Sequence, residues 1–367
     1  MTVAARPRAA VGTAIPMAAG LGVLGVSGYV FLALAGRTLQ PDHAAAVQAL
    51  YFLANILGPG VFTGVEQETN RASASALSRG AALAPVLRQA VQRSASVAAI
   101  LLAALAAGSV LLTGRTLHGE VSLLLEAMLA VVFAAAVYVV RGLLGGRRRF
   151  GGYAVTLAVE GLARLLPCVA LSVLEVHQAW LFGLVFACGQ GFAAAVGIRW
   201  LRAARGETGH NGPQPGTAGG LATSAGARPT GSGGLAMLVT ATFLAQAVAN
   251  LAPLIVGTRL AGDAATAFGF GQAFVLVRIP LLLFAPVQAM VLPGLSAAAT
   301  AGNLSFVRRR MRLLVLAVLA VGAVGTLCCV LFGGWILRTF FAVGSPPSPV
   351  TLGLLGVGTI ALMLAYV

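Results

Sequence analysis

The sequence predicts an all-α, polytopic membrane protein of two six-helix lobes related by a parallel repeat, the second lobe truncated so that about ten helices are present. Three observations carry that expectation. Of 367 residues, 59% are hydrophobic and 9% charged, with a mean hydropathy of +0.93, a balance foreign to a water-soluble domain. Apolar runs of about 20 residues, enough to cross a bilayer as a helix, recur along the chain. The two halves also match in outline across a polar break.

The first run, Val11 to Gly36, contains "GLGVLG" at Gly20 to Gly25. Those letters match a dinucleotide-binding turn, but that turn needs a strand before it, a helix after it and an acidic residue about 20 positions on. Val11 to Gly36 carries no charge, so the glycines are read as positions where neighbouring backbones approach closely. The run exceeds the apolar core of a signal peptide and no clear cleavage site follows, so it is read as retained. The second run, Ala44 to Val65, holds Gly58, Pro59 and Gly60, a predicted bending point. Ser94 to Thr113, Val121 to Val140, Tyr153 to Leu174 and Trp180 to Gly197 complete six spans in an amino-terminal lobe, residues 1–201. Residues 202–233, rich in Gly, Pro, Ser, Thr and Ala, bury too little apolar surface to fold and read as a flexible cytoplasmic linker. Leu235 to Val256, Ala264 to Val291, Leu313 to Leu337 and Val350 to Val367 give four more spans in residues 234–367.

Charge orients these spans, because short cytoplasmic loops carry the excess of basic residues. All 24 basic residues are Arg. With the amino terminus inside, eighteen of them, including Arg71, Arg141, Arg147, Arg148, Arg149 and Arg308, fall in inner segments, and four, Arg37, Arg115, Arg259 and Arg338, in outer ones. The net charge of +15 therefore reads as a topology signal and a contact surface for anionic phospholipids. Nucleic acid is not an expected partner, since no soluble domain gathers the arginines on one face.

Laying Asp42 on Asp263, an offset of 221 positions, also superposes Gly36 on Gly257, Leu39 on Leu260, Pro59 on Pro280, Ser75 on Ser296 and Arg88 on Arg309. Parallel repeats with a site between them are a recurrent transporter plan. A second half copying the first extends to about residue 422, so the chain is expected to lack about two spans; a natural ten-span protein is the alternative.

Ionisable groups inside the membrane cost about 2.5–3.5 kcal/mol each on insertion scales and mark cavities or partners. In "YAVTLAVEGLARLLPC", Tyr153, Thr156, Glu160, Arg164 and Cys168 share one face of the fifth helix, with Glu160 four residues before Arg164, the favourable order for a pair. The pair reads equally as a structural clasp or as a cavity wall that meets substrate or relays a proton. Arg278, in "GQAFVLVRIPLLLF", has no carboxylate on its own helix, and a guanidinium there suits a phosphate. Gln48, Tyr51 and Asn55 on the second helix, and Gln246 and Asn250 on the seventh, suit either helix–helix hydrogen bonds or a sugar-binding lining.

No metal or cofactor is expected. His43, His118 and His177 fall in different outer turns and His210 in the linker, without carboxylates or cysteines at ligand spacing. Cys168, Cys188, Cys328 and Cys329 lie in apolar spans and read as small hydrophobes. No catalytic triad, Walker pattern or acidic cluster is present, so the chain is not read as an enzyme, and any transport runs on a gradient or on the membrane potential.

At "GPGVFTGVEQETNRASASA", with Glu66, Glu68 and Arg71, and at "GGRRRFGGYAVTLAVEGLARLLP", with Glu160 and Arg164, the sequence resembles the polysaccharide (O-antigen-type) flippase branch of the multidrug/oligosaccharidyl-lipid/polysaccharide exporter superfamily. The first stretch resembles the end of the second helix and its inner loop, the second a short basic loop and the fifth helix. The resemblance implies a plasma (inner) membrane protein whose two lobes rock about a central cavity and flip a lipid-linked oligosaccharide from the cytoplasmic to the outer leaflet. It implies a pyrophosphate-binding role for Arg278 and Arg164, with envelope polymerases or glycosyltransferases as protein partners. Two other readings stand beside it: a multidrug/cation antiporter of the same superfamily, although the first helix lacks the carboxylate common there, and a non-transporting scaffold of an envelope-synthesis complex.

Overall fold

The computed structural model describes residues 8–203, 232–260, 262–281 and 304–365. Ten long helices account for most of them: α1 (Arg8–Thr38), α2 (Pro41–Ser78), α3 (Ala84–Ala107), α4 (Val121–Gly146), α5 (Phe150–Val173), α6 (Ala179–Ala203), α7 (Ser232–Arg259), α8 (Ala264–Leu276), α9 (Leu304–Phe341) and α10 (Pro349–Ala365). After α3 the chain continues through a turn at Ser109–Leu111 and a π-helical turn at Leu112–Thr116. Nine segments among the described residues are long and apolar enough to cross a membrane, and α10 is a shorter apolar helix. The protein is an all-α, multi-pass membrane protein.

Among the described residues each predicted span overlaps a helix, and several helices outrun their apolar windows. α2 continues to Ser78, so Glu66, Glu68 and Arg71 are helical rather than part of a loop. Its polar end is held by Arg71, which pairs with Glu68 one turn earlier at 2.7 Å. With 38 residues, α2 is roughly 57 Å long at 1.5 Å per residue, well beyond a hydrocarbon core of about 30 Å. α9 likewise begins at Leu304 and takes in Arg308, Arg309, Arg310 and Arg312. Pro59 is accommodated inside a continuous α2.

Local chemistry fixes several helix ends. α2 starts at Pro41, whose missing N–H costs nothing in a first turn, with Asp42 beside it at the positive end of the helix dipole. Asp263 caps α8, accepting the Thr266 N–H at 3.0 Å, and this side-chain hydrogen bond holds its exposed carboxyl below the usual range. The two aspartates superposed by the internal alignment thus both stand at helix starts. α8 breaks after Leu276 into a turn at Val277 and Arg278, and helix resumes at Ile279 with Pro280, which has no N–H to donate to the carbonyl one turn back, in its first turn. The remainder of the expected Ala264 to Val291 span, and residues 204–231 of the expected linker, lie outside the described residues.

α1 packs along α5, α2 lies between α4 and α7, α6 closes against α4 and α5, and α9 pairs with α10. Phe31, Leu32, Leu50, Phe52, Phe62 and Phe182 form the most buried part of the core. Glycines set the closest approaches: a Cβ on Gly142 would stand 2.7 Å from the Glu66 carbonyl oxygen, and one on Gly146 2.7 Å from that of Asn70, so α4 meets the α2 backbone directly. In "GLGVLG", Gly20 abuts the Ala154 carbonyl on α5, whereas Gly22 faces open space. Large apolar side chains such as Leu166, Leu316, Leu331 and Trp335 are exposed on the outside, where lipid tails replace protein contacts.

Candidate functional site

Three- and four-residue spacing along α5 brings Thr156, Glu160, Arg164 and Cys168 onto one face, and the structure buries that face against α4 and α6. Glu160, 3% exposed, is clasped by two guanidinium groups. Arg141 Nη2 donates to its Oε2 at 2.7 Å and Arg164 Nη2 to its Oε1 at 2.6 Å. Arg141 also donates to the Thr156 hydroxyl at 3.1 Å and the Thr156 carbonyl at 3.2 Å. Arg164 Nε donates to the Phe186 carbonyl at 3.1 Å, and its guanidinium lies 4.2 Å from the Phe186 ring centroid. Gln190 on α6 adds a side-chain hydrogen bond to Glu160. The Tyr153 hydroxyl donates to Glu66 Oε1 at 2.6 Å, tying the cluster to α2. Buried charge is tolerated only when paired and hydrogen-bonded, and Glu160, Arg141 and Arg164 each are.

Arg141 corrects an expectation. It was assigned to a basic inner loop with Arg147–Arg149, yet it is 3% exposed within α4, because the helix runs to Gly146 and turns this side chain toward Glu160. The Glu160–Arg164 pair is therefore the visible half of a three-member clasp. Its third member comes from another helix and left no periodic signal.

Arg278 occupies the turn after α8, half-buried, with its guanidinium 3.9 Å from the Phe274 ring centroid. Tyr51 on α2 is within electrostatic reach of both Arg164 and Arg278, and Tyr29 on α1 within reach of Tyr51 and Arg278. Gly28 makes room for Tyr51, whose hydroxyl would lie 3.1 Å from a Cβ there. Tyr51 is thus within electrostatic reach of an arginine of α5 and of one that follows α8.

The other polar candidates divide by partner. Gln48 donates to the Phe268 carbonyl at 3.2 Å, its amide against Gly271, and so ties α2 to α8. Asn55 bonds the Tyr51 carbonyl on its own helix at 2.8 Å. Asn250 donates to the Gln246 side chain at 2.9 Å, while the Gln246 stem packs on Gly60 of α2. Sequence reasoning missed Gln272, which donates to the Leu32 carbonyl at 3.3 Å, as well as Gln190 and Glu126. An amide or a carboxyl inside an apolar span was the available signal. Arg37 completes the contacts at the arginine-poor end, donating to the Phe340 carbonyl at 3.0 Å and to that of Thr339.

No family model matches the chain, and no curated protein matches it in sequence. Solved structures do. One described as the inward-facing conformation of a multidrug resistance MATE family transporter of the MOP superfamily aligns with a TM-score of 0.62 at 13% identity, covering 94% of this chain and 78% of that one. Another, a MATE protein in complex with MaD3S, aligns with a TM-score of 0.55 at 15% identity, covering 97% of this chain and 82% of that one. The helices that carry the polar cluster and Tyr51 are therefore arranged in a fold like that of these two solved structures.

Proposed function

We propose that the protein is a plasma-membrane transporter, amino terminus cytoplasmic, that flips a lipid-linked oligosaccharide to the outer leaflet by alternating access of two lobes. The observation that carries this reading is that Tyr51 lies within electrostatic reach of both Arg164 and Arg278. Two guanidinium groups carried by different helical segments suit a diphosphate, which accepts paired donors from each. In the described state Arg164 is bound to Glu160, and it engages the diphosphate as the lobes move. The amides of Gln246 and Asn250 then meet sugar.

The second reading, a multidrug/cation antiporter, is favoured by what the structural neighbours are said to be. At the clasp itself Glu160 is bracketed by two arginines and offers a cationic drug no free carboxylate.

Flipping of a fluorescent polyprenyl-diphosphate saccharide in proteoliposomes tests the proposal. Arg278→Ala is expected to lower the initial rate about tenfold or more while leaving the protein folded, the equivalent of a charge-assisted hydrogen bond of roughly 1.5–3 kcal/mol. Exchange of cationic dyes for protons, with no movement of the lipid, would establish the antiporter instead. No transport of either would favour a scaffold.

A further inference from the structure

Glu126 is a buried carboxyl that the polar cluster does not use. It lies on α4 at 6% exposure, and its Oε2 has no hydrogen-bond partner. Its room is made by Gly183 on α6, where a Cβ would overlap that oxygen, and Leu123 closes the same pocket. The titratable groups that face it are Glu120 at the start of α4 and Cys188 on α6. α3 and α5, also packed on α4, bring none to it among the described residues. Glu120 is joined in turn to His43 of α2, with Nε2 to Oε1 at 3.1 Å, and His43 Nδ1 is a second buried atom without a partner. His43 and Glu120 reach the surface at the arginine-poor end of the bundle; Glu126 lies about 9 Å deeper at 1.5 Å per residue.

We propose that Glu126 is a proton-binding site, loaded from the arginine-poor end through His43 and Glu120. A carboxylate withdrawn from water with neither cation nor donor is far costlier than the neutral acid. Of the cations that could neutralise it, a proton needs one oxygen, whereas hard metal ions take a shell of several. The pocket supplies a single carboxyl against glycine and leucine. A shift of α6 away from α4 would admit water at Gly183 and release the proton. A proton is held at Glu126 whichever substrate the transporter carries.

Infrared titration of the full chain in lipid bilayers tests this directly, since a protonated carboxyl has a carbonyl stretch that the carboxylate lacks. The difference between wild type and Glu126→Gln is expected to contain that band at neutral pH and to lose it as pH rises. His43→Ala should slow hydrogen–deuterium exchange of the band several-fold without abolishing it. If Glu126→Gln does not fold, Gly183→Ala serves instead, because its methyl displaces the carboxyl and must move the band. A difference spectrum without the band, a band unmoved by Gly183→Ala, or one removed by sodium at fixed pH would each overturn the proposal.

Discussion

Glu160 is the acceptor that lets two guanidinium groups stand inside an apolar bundle. Replacing it by Gln leaves Arg141 and Arg164 buried without an anion, and breaking a buried pair in this way costs about 3–5 kcal/mol. A clear fall in the thermal midpoint of the purified protein is therefore expected for Glu160→Gln. Replacing all three members by apolar residues of similar volume should restore that midpoint, since well-packed hydrophobes often match or exceed a buried ion pair by about 1–4 kcal/mol. If the restored triple variant also transports, the cluster is a clasp alone; if it is stable but inactive, the cluster meets substrate. At this scale the sequence was legible only along one helix. Glu160 and Arg164 share a turn and show as spacing, whereas Arg141 lies 19 positions away and reaches them only once α4 and α5 have packed. Arg278 was visible as a lone charge in an apolar run, and it sits in a turn just before Pro280, whose missing N–H leaves the preceding turn of the ladder one bond short.

Among the described residues, helices were legible in order but not in length. Hydropathy reports the solvent around a segment, while helicity persists wherever backbone hydrogen bonds and local pairs support it. α2 therefore leaves the apolar region and continues to Ser78 on its Glu68–Arg71 pair. The same distinction separates glycines that look alike in the sequence. Gly146 touches α2 so closely that a Cβ would fall 2.5 Å from Ser73 Cβ, whereas Gly22 meets nothing within 4 Å. Gly146→Val should force α4 from α2 and cost about 1–3 kcal/mol by overpacking. Gly22→Ala should be neutral or stabilise by up to about 1 kcal/mol through helix propensity. Thermal unfolding of the two variants side by side checks both signs.

Across the whole molecule, α1 and α2 are tied to α8 and α9 at the arginine-poor end by Arg37, Gln48 and Gln272, with the Phe268 ring seated against Gly36. In alternating access these contacts must part. Three lost hydrogen bonds, two from Arg37 and one from Gln48, at about 1 kcal/mol each shift an opening equilibrium by roughly a hundredfold. In a background lacking the four native cysteines, thiol labelling of Phe268→Cys should accelerate by that factor when Arg37→Ala and Gln48→Ala are added. Unchanged labelling would show that the apolar seam alone holds this end shut. The order of spans was readable in advance, but which ends meet was not, because each tether joins a side chain to a backbone atom more than 200 positions away.

Those tethers share a property with consequences for genetics. Arg37, Gln48 and Gln272 each donate to a main-chain carbonyl, of Thr339 and Phe340, of Phe268 and of Leu32. A peptide oxygen is present whatever residue bears it, so these links can be lost by single codon changes at the three donors and remain when the acceptor residues are swapped for others of similar shape. Charge-reversal suppressors, the usual signature of an ion-pair gate, have no position here at which to arise.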